Sequence, residues 1–287
     1  MNEQERGQSR RPDRPENQEK PRRPKRWRRL FAWTLGAALV AVIALFAFIQ
    51  TGPGKRLLAY AAEKGVAAVP GLSARVEGIG GFLPFSLTVK GLALYDERGV
   101  WLAVKDFSFA WSPAALFRGR VEVTGLSADT VRFLRPPVPP PSQEETPAPL
   151  VWPPVFPNLP PLLLDNVSFP RIILDEEAAG QNVTASLEGR LSEESGAVGF
   201  TLRAIRLDGP KAWLDLSGAL NYADWTLVMH ARAEEEAGGL LGTALDPSAK
   251  GPVTLALDGR GPLTAFAAKL SLAQAGNPLV ASDLSLA

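Results

Sequence analysis

The sequence predicts a mainly β protein carried on one apolar helix, and three observations support that reading. Residues 30–49 (LFAWTLGAALVAVIALFAFI) are twenty residues without a charge. From residue 72 onward, short runs alternate apolar and polar side chains with period two, the mark of strands with one apolar face. A single proline-dense stretch, 136–161, interrupts that alternation. The expected fold class is therefore a single N-terminal transmembrane helix followed by β-sheet with a few short helices.

The amino end is basic. Residues 1–29 hold 11 Lys+Arg against 5 Asp+Glu, leaving 20 against 25 in the rest of a chain whose formal net charge is only +1. At about 1.5 Å per residue the uncharged stretch spans about 30 Å, the hydrocarbon thickness of a bilayer. Leu30, Trp33, Leu45 and Ile49 would anchor it. The cluster Lys25, Arg26, Arg28 and Arg29 outweighs Lys55 and Arg56 on the other side, which sets the tail (1–29) in the cytoplasm and the bulk of the chain across the membrane. A cleaved signal peptide has a shorter apolar core and a small-residue cleavage site, and Phe46-Ala-Phe-Ile-Gln-Thr-Gly52 is a poor one. An uncleaved anchor is the expectation. No aromatic or glycine-rich binding module follows the basic tail, so nucleic acid is not an expected partner.

Beyond the span, residues 50–71 read as a juxtamembrane helix. Pro53 sits at a permitted helix start, Leu57, Leu58, Ala61 and Val66 share a face, and Pro70-Gly71 ends it. Residues 72–135 form a first β unit. In GFLPFSLTVKGLALYDERGVWLAVKDFSFAW (81–111), Phe85, Leu87 and Val89 alternate against Ser86, Thr88 and Lys90; Phe107, Phe109 and Trp111 alternate after a turn at 96–99. Ser112, Pro113 and Gly119 bracket a one- or two-turn helix capped by the serine, after which Val121 and Val123 resume the strands. The prolines of 136–161 cannot form a ladder and read as an extended linker rather than a ligand for SH3 or WW domains. A second β unit, 162–287, then runs through strands at 162–169, 172–175, 183–191, 200–207, 213–220, 225–232, 253–258, 266–272 and 279–286. Its segments lack a helical period. The apolar phase shifts between Ala204 and Ile205, which places a bulge there.

The chain offers little for catalysis. It has no cysteine, which removes thiol chemistry and Cys-ligated zinc. Its one histidine, His230, lies in a strand with no G-x-S-x-G elbow elsewhere. The acids at 175–177, 193–194 and 234–236 read as hydrated turns, as do Gly238-Gly239 and Gly259-Arg-Gly261. The sequons at Asn166 and Asn182 matter only on a eukaryotic secretory route. No enzyme activity, metal or cofactor is expected.

So many half-apolar strands need a cover: a facing sheet, closure into a barrel, or a ligand with acyl chains lying on an open sheet. Periodicity alone leaves these open. The basic tail, the single span and the short helix are followed by the glycines at 78–81, Gly91-Leu-x-Leu94, Trp111-Ser-Pro-Ala-Ala-Leu-Phe-Arg-Gly119 and Leu159-Pro-Pro-Leu162. In that order they resemble, over residues 26–174, the amino-terminal part of the TamB family, inner-membrane subunits of the translocation and assembly module in the AsmA-like superfamily.

The resemblance implies an elongated, curved, U-shaped β-sheet crossing the periplasm with an apolar groove. It also implies a role in outer-membrane biogenesis, through phospholipid transport, protein secretion, or assembly of outer-membrane β-barrels with a TamA-like partner. Phe85, Leu87, Val89, Phe107, Phe109, Trp111, Val121 and Val123 would line the start of that groove against phospholipid acyl chains. Members of the family are far longer, so a truncated chain is expected, and the domain that meets the outer-membrane partner would lie beyond Ala287. The competing expectation is a structural or adhesive β-sandwich ectodomain on a membrane stalk.

Overall fold

The computed structural model describes residues 25–138, 162–194, 196–221, 223–245 and 251–285. The tail 1–24, most of the proline-rich stretch (139–161, with Leu159-Pro160-Pro161), and the side chains of Lys25, Arg26, Arg28, Arg29 and Leu30 lie outside the described residues. The chain divides into two compact units, Met1–Phe46 and Ala47–Ala287.

The first unit holds most of α1 (Lys25–Gln50). Its window Trp33–Gln50 is long and apolar enough to cross a membrane. Trp33 is 79 % exposed and Leu45 63 %, so among the described residues of its unit no protein layer covers the helix. By length and composition such an apolar helix could serve as a membrane anchor or a signal sequence.

In the second unit, α2 (Gly52–Ala67) starts as its sequence dictates, with Thr51 as N-cap. Its hydroxyl accepts from Gly54 N at 3.2 Å and Pro53 occupies the first turn. Among the described residues thirteen strands follow in one sheet. They are β1 (Ser73–Gly80), β2 (Ser86–Asp96), β3 (Gly99–Ser112), β4 (Val121–Ser127), β5 (Thr130–Phe133), β6 (Leu162–Leu174), β7 (Val183–Glu194), β8 (Ala197–Arg206), β9 (Ala212–Asn221), β10 (Thr226–Glu235), β11 (Val253–Pro262), β12 (Ala267–Gln274) and β13 (Asn277–Ser285). They neighbour one another in chain order, except that β4 and β5 occupy one row, both paired with β3 on one side and β6 on the other.

The strands before and after the proline-rich stretch thus belong to a single sheet, where the sequence suggested two units. The reason lies in direction. β4 and β5 run parallel to β6, with Val121 beside Leu162 at one end and Phe133 beside Leu174 at the other. Every other pairing is antiparallel. Parallel neighbours cannot be joined by a tight turn, so the chain between them has to return along the full strand. That return is the topological task of residues 134–161.

Several local expectations change. The segment after Trp111 is a 3-10 turn, Pro113–Arg118, and Ser112 makes no capping bond through its side chain. Residues 162–174 form one strand rather than two, because Pro170 falls where the β6–β7 register shifts and no ladder donor is needed. The bulge expected near Ala204 is absent: β8 keeps an unbroken register with both neighbours. Ile205 therefore points to the opposite face from Ala204, where it stands beside Trp213, and the two are 37 % and 36 % exposed. An aromatic partner directly across the strand gives the isoleucine contact without loss of a backbone hydrogen bond. Glu193, Glu194, Glu234 and Glu235 lie in strands, as do Gly259 and Gly261. Two further short helices appear, α3 (Glu176–Ala179) and α4 (Leu240–Leu245).

Candidate functional site, an apolar sheet face

Residues paired across neighbouring strands share a face of the sheet, so the register shows which side chains lie together. Leu187, Ala204, Leu214, Ala233, Leu255, Leu272 and Val280 form one row across β7–β13. Gly189, Leu202, Leu216, Ala231, Leu257 and Leu270 form the next, and Leu191, Phe200, Gly218, Met229, Gly259, Ala268 and Leu284 the one after. At Gly218 the face is shaped by close approach, since a Cβ there would lie 2.8 Å from Cε1 of Phe200; the ring rests over the glycine.

The same face continues toward β1. Gly189 pairs with Val167, Val167 with Leu126, Leu126 with Phe109, and Phe109 with Leu87. Trp111 pairs with Val123, Val123 with Leu164, and Leu164 with Leu191. Val89 is opposite Phe107, and Val121 is opposite Leu162. Phe85 precedes β2, with its ring centroid 6.3 Å from that of Trp111, while Trp111 Nε1 donates to Pro84 O at 2.8 Å. The eight residues singled out in the sequence thus come together at one end of the face. Val89 and Val123 are buried and the other six half-buried.

A second line meets the same face. Leu92, Val104, Val131, Ile172 and Ala185 are paired in turn, and Ala185 shares its side of β7 with Gly189. Val104 and Phe109 thus lie on one face although their sequence offset is odd, which strict alternation would put on opposite faces. The correction occurs along one line, where Gly78 (φ 66°), Lys90 and Asp106 (φ 49°) stand outside the paired register of β1, β2 and β3. It shifts the apolar phase in all three strands together, and sequence periodicity did not reveal it.

What covers this face is slight. Among the described residues the largest fully buried side chain is Val253, and the leucines at 187, 191, 202, 214, 216, 255, 257, 270 and 272 are all half-buried, neither sealed nor fully exposed. The strands form one sheet, so no second sheet of the kind a sandwich requires is present among them. One element does cross the face. Helix α4 holds Leu240 and Leu241 near Ala204, Leu214, Ala233 and Leu255, beside an open apolar pocket of about 270 Å³. It is held by Glu235, 4 % exposed, whose carboxylate accepts from Gly242 N at 3.0 Å; Gln274 Nε2 donates to Gly242 O at 3.4 Å. Sequence reading placed Glu235 in a hydrated turn and missed this latch. Its apolar-side position in β10, opposite Val253, was the available signal.

The opposite face is polar. His230 Nδ1 lies 2.7 Å from Asp258 Oδ1, and Arg232 donates to the same carboxylate at 2.8 Å. The bond to His230, followed by that to Arg232, holds the Asp258 carboxyl below the usual carboxylate range. Among the described residues no group of three or more His, Asp and Glu side chains is arranged to hold a metal ion.

The chain matches no known protein family, curated protein or solved structure. Its functional reading therefore rests on the face itself.

Proposed function

We propose that this chain is a membrane-anchored lipid-binding protein in which the apolar face serves as an open groove for phospholipid acyl chains. One observation carries the reading: a face of half-buried leucine, valine and aromatic side chains runs from β2 to β13, and among the described residues α4 is what packs against it. Each large apolar side chain gains about 1.5–3 kcal/mol on full burial, so a row of half-buried leucines retains a substantial drive to be covered. Acyl chains meet that need without hydrogen-bonding demands on the sheet. Helix α1 then serves as the anchor, the positive cluster before it sets the amino end in the cytoplasm, and the sheet stands in the periplasm of a bacterium with two membranes. If the order of motifs over residues 26–174, which resembles TamB-type AsmA-like sequences, carries their role, the same face would serve outer-membrane biogenesis, by phospholipid carriage or by assistance to β-barrel assembly and secretion, with binding rather than catalysis as its chemistry.

The test is gentle detergent extraction of the full chain followed by mass spectrometry of the co-purifying lipid. Phospholipid is expected at a fixed ratio to protein. The variant Leu202→Glu/Leu257→Glu, which places charge in the middle of the face while leaving α1 intact, is expected to lose most of it. Equal lipid in both proteins would assign the lipid to the anchor helix and overturn the groove.

A further inference from the structure

Helix α2 is amphipathic in the inverse sense. Lys55, Ala59, Glu63 and Val66 are half-buried and, three or four residues apart, form one side of the helix. That side packs on β1, and its charged groups are used there. Lys55 Nζ donates to Gly81 O at 3.1 Å, and Glu63 Oε1 accepts from Val76 N at 2.8 Å. The other side is apolar and exposed, with Leu57, Leu58, Tyr60 and Ala61; Leu57 is 56 % exposed. Val66, grouped with the leucines on sequence alone, belongs to the sheet side instead. A surface helix ordinarily turns its apolar stripe to the core. Here the polar stripe meets the sheet, and the apolar one is presented outward.

A second apolar group is presented nearby. The 3-10 turn Pro113–Arg118 carries Leu116 and Phe117, and the Phe117 ring is 94 % exposed. Ala115 in the same turn is fully buried, so the turn is seated on the protein and holds the ring outward.

Both groups flank the point where α1 ends. Helix α2 begins at Gly52, two residues after Gln50. The Gln50 side chain donates to Leu83 O, the next carbonyl, Pro84 O, accepts from Trp111 Nε1 at 2.8 Å, and the turn starts two residues beyond Trp111. A chain that leaves a bilayer at Gln50 therefore keeps Leu57 and Phe117 close to the bilayer surface. That position selects the occupant. A second copy or a partner helix would have to dock in a layer that lipid headgroups already fill, whereas the interfacial layer itself takes up exposed leucine and aromatic side chains. Arg56 and Lys64 border the apolar stripe, where their stems can lie along it while their charges reach phosphate, and Lys64 Nζ stands 5.6 Å from the Tyr60 ring centroid.

We propose that α2 and the Leu116–Phe117 turn form a membrane-docking surface, with their exposed apolar side chains entering the interfacial layer of the bilayer to a depth of about 5–10 Å. The inference rests on α1 being membrane-inserted, as the proposed function has it, and not on lipid occupying the sheet face.

The chain has no cysteine, so a single introduced cysteine reports one position. The test places an environment-sensitive fluorophore on Leu57→Cys, on Phe117→Cys, on Leu39→Cys in α1, and on Glu236→Cys, exposed after β10. Each full chain is reconstituted in vesicles of phosphatidylcholine with about one third phosphatidylglycerol. Lipid carrying a nitroxide close to its headgroup should quench the labels at 57 and 117 about twofold or more, and lipid carrying it at mid-chain should quench the label at 39 more strongly. The label at 236 should respond to neither. Quenching at 39 without quenching at both 57 and 117 would leave the anchor standing and overturn the docking surface. Equal quenching at 57, 117 and 236 would also overturn it, as adsorption of the whole sheet. Absence of quenching at 39 would remove the anchor and this inference with it.

Discussion

At the residue scale the best-defined interaction in the second unit is the ion pair between Asp96 and Arg135. Their side chains are only 1 % and 7 % exposed. The guanidinium meets both carboxylate oxygens, at 2.5 and 2.8 Å, and also donates to Gly99 O; the carboxylate accepts in addition from Arg98 N and Val138 N. A buried pair with its remaining hydrogen bonds satisfied holds the β2–β3 turn to the chain where it leaves β5. Arg135 above all, then the Val138 and Arg98 amides, hold the Asp96 carboxyl well below the usual carboxylate range, against the opposing effect of burial. Because the folded value is depressed, the associated stability is present above the ordinary carboxylate pKa of about 3.9 and is lost as pH falls toward the folded value. Asp96→Asn should therefore lower the unfolding midpoint clearly at pH 7. The gap from the native chain should begin to close only below about pH 4, as measured by urea titration of both proteins across pH 2–7. A constant gap over that range would mean that the carboxylate's charge contributes nothing. This pair is not legible in the sequence, since the residues lie 39 apart and each reads as an ordinary turn charge.

At the element scale the instructive feature is the line Gly78, Lys90 and Asp106. Alternation was legible strand by strand: Leu87 with Val89 and Phe107 with Phe109 were read correctly as one face, and the register pairs them. Illegible was how the face continues, because the step from Val89 to Leu92 is three residues and strict alternation puts them on opposite sides. The structure resolves this with backbone at positive φ in two of the three strands, which no side-chain pattern encodes. At Gly78 a Cβ would stand 2.8 Å from Lys90 Cγ in a conformation L residues seldom adopt. At Asp106 the cost is already incurred, since φ is 49° on a residue with a Cβ. Asp106→Gly should therefore stabilise the sheet by about 1 kcal/mol, and Gly78→Ala should destabilise it by at least that much. Chemical denaturation of the two variants checks both signs. Destabilisation by Asp106→Gly would show that the aspartate side chain, not the backbone, makes the irregularity.

At the scale of the whole second unit, direction of pairing governs what the proline-rich stretch has to do. Sequence composition reads this stretch, most of which lies outside the described residues, as an extended, non-laddering linker between two β units. Composition carries no record of strand direction, so the parallel pairing of β4 and β5 with β6 was invisible. Once that pairing is fixed, a minimum length follows. The chain leaves at Phe133, beside Leu174, and re-enters at Leu162, so it returns along all 13 residues of β6. At about 3.3 Å per residue that return is about 40 Å, and an extended proline-rich chain covers about 3.1 Å per residue, so about 14 residues are the least that will reach. Residues 134–161 exceed this comfortably. Deletions within 139–161 that keep more than about 18 connecting residues should leave the thermal midpoint nearly unchanged, because loop-closure entropy varies only slowly with length. Deletions that leave fewer than about 12 should abolish the cooperative transition outright, because β6 can then no longer sit beside both β4 and β5. A graded loss of stability across the series, with no threshold, would show that the two parts of the sheet are joined less firmly than their shared register requires.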